Sequence, residues 1–83
     1  MGRLYIEIKK TEENERKVTY SFEEHHLPKK SFGKVVIDKK SGEFFVLEEP
    51  EWDINHTLAV KTGLKLEQHW KKGEFPDVTC WVS

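Results

Sequence analysis

One cysteine among 83 residues, Cys80, leaves no second thiol in the chain with which to close an internal disulfide. The fold must therefore rest on its apolar core, and a lone thiol suits a reducing, cytoplasmic setting. No apolar run approaches the ~20 residues that span a bilayer, and the N-terminal stretch lacks a signal-peptide core. Charge of one sign is also missing. Fourteen Lys and Arg nearly cancel fifteen Asp and Glu, which argues against bulk nucleic acid or an anionic membrane as the main partner. Proline and glycine are scarce, with three and five copies, so each one punctuates. There is no glycine-rich phosphate loop, nucleophile elbow or paired-histidine helix motif.

What is present is aromatic and charged. Three Trp, five Phe and two Tyr supply large buried areas to a chain that buries only ~60% of its unfolded surface. The length suits one domain over residues 1–83.

Leu4, Ile6 and Ile8 alternate with Tyr5, Glu7 and Lys9, the period-two pattern of a half-buried strand. The charged stretch from Lys10 to Arg16 reads as a polar loop, after which Val18, Tyr20 and Phe22 form a second alternating strand. His25 to Ser31 is a connector holding Pro28. A second hairpin follows, with Gly33 to Ile37 and Glu43 to Leu47 joined by Asp38-Lys39-Lys40-Ser41-Gly42. Asp38 can bond its own turn backbone, and Gly42 supplies a positive φ.

A helical stripe then runs through Ile54, Leu58, Ala59, Leu66 and Trp70, and Lys71-Lys72-Gly73 suits a helix end. We expect one continuous helix over about 54–72. A shorter helix ending at Gly63, with Leu64 to Trp70 as a strand, is the alternative. Val78, Cys80 and Val82 alternate with Thr79 and Trp81, giving a closing strand in which Cys80 reads as a small core residue. The expected architecture is α+β: two N-terminal hairpins in the order β-β-β-β-α-β, a small antiparallel β-sheet with one helix packed on one face.

Thr62-Gly63-Leu64 followed by Gly73-Glu74-Phe75-Pro76 is similar to the excisionase-type helix-turn-helix DNA binders, in which a Thr-Gly-Leu opens the turn before the recognition helix. The interval here is shorter by about one helical turn. The serine- and arginine-rich recognition stretch has no counterpart, and no function is carried over.

The histidines His25, His26, His56 and His69 do not form the tight ligand pairs of a zinc site, so we expect no metal and no cofactor. An acid–base site built from His25, His56 and Lys29 would need a proximity that the spacing does not provide, and we expect no catalytic residues. Two features point to binding. The loop Glu48-Glu49-Pro50-Glu51-Trp52-Asp53 carries a tryptophan among carboxylates, the make-up of an interface anchor with a charged rim; Trp52 could equally pack beneath the helix start with Asp53 as N-cap. Val60 and Leu64 fall off the helix's apolar stripe and would form an exposed patch.

We therefore expect a non-enzymatic protein-binding module using Glu48, Glu49, Glu51, Trp52, Asp53, Val60 and Leu64, for example a bacterial immunity- or antitoxin-type inhibitor. The alternative is a single-stranded nucleic-acid binder, with Tyr5, Phe44 and Trp81 facing outward and lysines at 29, 30, 34, 39 and 40 beside them.

Overall fold

The computed structural model describes residues 5–24, 33–49 and 57–82. Within them the chain forms β1 (Tyr5–Glu13), β2 (Lys17–Glu24), β3 (Gly33–Asp38), β4 (Phe44–Glu48), α1 (Thr57–Lys71) and β5 (Val78–Val82). The strands make one antiparallel sheet in the order β4-β3-β2-β1-β5. The first four strands are a meander. The helix then carries the chain back across one face, so that β5 pairs with β1 at the far edge. This is the α+β architecture expected, with the helix continuous through Gly63; residues 54–56 of the expected helix, and Leu4 of the first strand, lie outside the described residues.

The sheet has one covered face and one open face. Ile6, Ile8, Val18, Tyr20, Phe22, Val35 and Ile37 are buried beneath Leu58, Ala59 and Leu66 of the helix. Phe44, Val46, Trp70, Phe75 and Trp81 pack around that cluster. Register explains the grouping, since Ile8 stands opposite Phe22, Tyr20 opposite Val35, Ile37 opposite Phe44 and Ile6 opposite Trp81. Directly opposed side chains share a face, so one parity of each strand builds the core.

Gly63 costs roughly 1 kcal/mol of helix propensity relative to Ala, and the fold supplies the reason for it. A Cβ there would overlap the Phe44 ring, so glycine lets α1 settle onto β4. Gly42, at φ 77°, closes the β3–β4 turn and lies under the Trp70 indole. Trp70 Nε1 donates to Lys39 O at 2.8 Å, fastening the helix end to the same turn.

The polar loop expected over Lys10–Arg16 is much shorter. β1 runs on to Glu13, with a bulge between Lys10 and Glu12, and β2 begins at Lys17. Asn14 makes this possible: its Oδ1 accepts from the N–H groups of Arg16 and Lys17, both at 2.8 Å. Backbone pairing needs no buried side chains, so a fully polar segment can extend a hairpin where hydrophobic alternation has already stopped. Asp38 builds the second tip in the same way, accepting from Lys40 N at 2.8 Å and Ser41 N at 3.0 Å. These two amides, Ser41 foremost, hold the Asp38 carboxyl below its usual range. Lys39 N donates to Arg16 O at 2.8 Å and joins the two tips.

Cys80 is not a core residue. Val78, Cys80 and Val82 face the open side, and Thr79 and Trp81 face the helix. Both parities of this strand carry side chains able to be buried, and the larger one, Trp81, takes the covered side.

Candidate functional site

Two groups of side chains stand out on this frame: an exposed apolar flank at β4 and a hydrogen-bonded cluster between the helix end and β5.

At the flank, the run Phe44-Phe45-Val46-Leu47 is apolar at every position, but the helix covers only one face of the sheet. Phe44 and Val46 turn inward. Phe45 and Leu47 are left on the open face at 54% and 56% exposure. The register shift between Lys34 and Val35 sets Glu48 opposite Lys34 and leaves Leu47 as the extra residue of a bulge. Glu43, Glu48 and Glu49 are exposed around this pair. On the other side of the strand, Gly63 sits on Phe44, which brings that side of α1 over β4. Val60, one turn before Gly63, and Leu64, next to it, are 44% and 41% exposed.

Of the residues singled out from sequence, Glu48 and Glu49 are exposed on this flank, and Val60 and Leu64 are exposed on the outer side of α1. Glu51, Trp52 and Asp53 lie outside the described residues, as do His25, His26, His56, Lys29 and Lys30. Phe45 and Leu47 are additions. Their signal was the uninterrupted apolar run, since a strand covered on one face can bury only every second residue.

The outward aromatics expected for a nucleic-acid surface are not arranged that way. Phe44 and Trp81 are turned to the helix side and pack on the core, and only Tyr5 stands on the open face. Lys39 is committed elsewhere: its Nζ lies 2.7 Å from Glu13 Oε2 and 5.6 Å from the Phe75 ring centre.

The second group is His69, Glu74 and Thr79. His69 Nδ1 is 3.2 Å from Glu74 Oε1, and Nε2 is 2.9 Å from Thr79 Oγ1. A carboxylate only accepts, so Nδ1–H donates to Glu74, and in the neutral ring Nε2 accepts from the threonine hydroxyl. This connectivity can draw a proton from a hydroxyl. In the fold it ties β5 to the end of α1, where Glu74 N also donates to His69 O at 3.1 Å. The excisionase-like punctuation therefore holds no turn: Thr62-Gly63-Leu64 is inside the helix, and Gly73 at φ 74° ends it.

Charge gathers at the hairpin tips. Glu13 receives Lys10 and Lys39, each at 2.7 Å, and these two ammonium groups, Lys10 first, bring its carboxyl down to about 2. Asp77 lies 3.4 Å from Lys10. Tyr20 donates from its hydroxyl to Pro76 O at 2.7 Å, and burial pushes this phenol well up. Two concavities of about 530 and 480 Å³ open nearby, the first lined by Asn14 to Lys17 and the second by Glu15, Arg16 and Asp38 to Ser41. Both are lined by polar and charged residues, and His69 lines neither. Among the described residues, no group of three or more His, Cys, Asp or Glu is placed to hold a metal ion, and no helix is long and apolar enough to cross a membrane.

In comparisons with known proteins, no family model, no curated protein and no solved structure matches this chain.

Proposed function

We propose that this chain is a small, non-enzymatic protein-binding module that docks through the β4 flank. The observation that carries the reading is the pair of large exposed apolar residues, Phe45 and Leu47, on the open side of one edge strand, rimmed by Glu43, Glu48 and Glu49, with Val60 and Leu64 exposed on the outer side of the helix that packs on that strand. An apolar centre with a charged margin is the usual make-up of an interface. A partner strand laid along β4 would meet Phe45 and Leu47 on the open face. Glu51, Trp52 and Asp53 follow in sequence and keep the acidic, aromatic character expected of the docking segment.

The acidic rim selects a basic partner and speeds encounter with it. An immunity- or antitoxin-type inhibitor, covering the cationic active site of a toxic nuclease, is the specific form this reading takes. The test compares recovery of partners from the native host using the wild type, Phe45→Ser/Leu47→Ser, Glu48→Lys/Glu49→Lys and Trp52→Ala. Loss of the same partner with the first two variants supports the flank, and full retention with both removes it. Single-stranded nucleic acid is the alternative partner. Measurable oligonucleotide binding at low salt that weakens with added salt would favour it over a protein.

A further inference from the structure

We propose that two copies of this chain associate about a two-fold axis through Cys80, β5 pairing antiparallel with β5 of the second copy so that the two sheets continue as one of ten strands.

Lys10 N donates to Asp77 O at 2.8 Å, one step beyond the Lys9–Val78 pair. In an antiparallel ladder, hydrogen-bonded and non-bonded pairs alternate. Asp77, Thr79 and Trp81 therefore turn their N–H and C=O groups toward β1, and Val78, Cys80 and Val82 turn theirs to the outer edge. β5 is an end strand of the sheet, and Val78 and Val82 are 59% and 55% exposed.

This edge is its own complement. With Cys80 opposite Cys80 of the second copy, Val78 falls opposite Val82 and Val82 opposite Val78. All three pairs join outward-facing backbone groups, giving six inter-chain hydrogen bonds with no change in either strand. The side chains of these residues are all on the open face, so the pairing lines up a continuous Val-Cys-Val row from both copies. On the helix side, Thr79 falls opposite Trp81, which gains cover for its partly buried ring.

Charge singles out β5 over the other edge. No residue from Val78 to Val82 is charged, so nothing repels in this register. At β4, the same self-pairing about Val46 would set Glu43 against Glu49 and leave Glu48 beside them, and like charges directly opposed are unfavourable. Edge strands are normally guarded by charge or proline; β4 has its acids, and β5 has no such guard. Five-residue pairing covers less than the ~1,200 Å² of a standard interface, so the dimer is weak and depends on concentration.

The test uses the intact chain and its single thiol. Sedimentation equilibrium from micromolar to millimolar concentration should show reversible dimerisation of the wild type. Val78→Lys/Val82→Lys alters only exposed side chains and should remain monomeric with an unchanged far-UV spectrum. Opposed residues of a hydrogen-bonded pair have Cα atoms ~5.5 Å apart, inside the Cα range of a disulfide, and their Cβ atoms need to close by about 1 Å to be joined. Air oxidation, in which two thiols lose two protons and two electrons to dioxygen, should therefore give a Cys80–Cys80 dimer rapidly in the wild type and at least tenfold more slowly in the double-lysine variant. A monomeric wild type at every concentration overturns the proposal. So does a dimer that survives both lysines, or equal rates of oxidation. Phe45→Ser should leave dimerisation untouched, which separates this surface from the β4 flank.

Discussion

The two faces of the sheet are built from the same strands on opposite principles. On the covered face, each large side chain has a counterpart shaped for it: Phe44 against Gly63, Trp70 against Gly42, Leu66 over the strand residues. On the open face, polar residues such as Thr19 and Ser21 occupy the middle, Val36 lies buried between Thr19 and Phe45, and the exposed large apolar residues stand at the two rims, Phe45 and Leu47 on one and Val78 and Val82 on the other. Fit holds the molecule together on the first face. On the second, Phe45 stands beside buried Val36 but is still more than half exposed, as are Leu47, Val78 and Val82, and the proposed contacts account for that exposed apolar surface at the rims.

Substitutions can sharpen this contrast. Leu66→Ala removes a fully buried side chain from the covered face and should cost about 2–5 kcal/mol in a urea titration. Gly63→Ala is more diagnostic. Helix propensity alone favours it by about 1 kcal/mol, but the added methyl collides with Phe44, and overpacking costs about 1–3 kcal/mol. A net loss of about 1 kcal/mol is expected, and a gain would show that the ring moves aside freely. Thr62→Val should run the other way. The Thr62 hydroxyl is buried with no hydrogen-bond partner among the described residues, so valine should stabilise by about 1 kcal/mol.

The ion pairs at the hairpin tips give a smaller effect, with a defined pH window. Because the folded-state carboxyl of Glu13 titrates near 2, below its ordinary range, its contribution is complete above the unfolded-state value. It is lost as pH falls toward 2. Glu13→Gln should flatten thermal stability across that interval, lowering it modestly at neutral pH and leaving it nearly unchanged near pH 2; an unaltered acid profile would show the pairs to be idle. Smallest of all, Phe45→Ser and Leu47→Ser should each shift stability by no more than about 0.5 kcal/mol. A loss of 2 kcal/mol would move these residues from the binding surface into the core.

The covered face is largely legible in the amino-acid sequence. Ile6 and Ile8, Val18 to Phe22, and the helical stripe through Leu58, Ala59 and Leu66 follow periods that admit one assignment. The open face is less so, for a reason visible in particular residues. Phe44-Phe45-Val46-Leu47 and Val78-Thr79-Cys80-Trp81-Val82 can be buried on either parity, so alternation alone does not say which set turns inward. Partners decide: Phe44 by its fit to Gly63, and Trp81 by lying opposite Ile6. The extension of β1 past Lys10 is hidden for the opposite reason, since it buries nothing and rests on Asn14 and backbone pairing. Of the candidate site, Val60 and Leu64 follow from the helical period and Glu48 and Glu49 from composition. Phe45 and Leu47 require the register.

The pairing of β1 with β5 also bears on the order in which the molecule can assemble. Strands one to four are local neighbours and can zip together as soon as each is made, whereas Ile6 must wait for Trp81, some seventy residues later, before its other side is closed. Contacts so distant along the chain are slow to form. A nascent polypeptide still lacking Val78–Val82 would therefore hold a four-stranded ribbon whose oldest strand is its most vulnerable, and limited proteolysis of ribosome-bound chains should show protection of β1 arriving last.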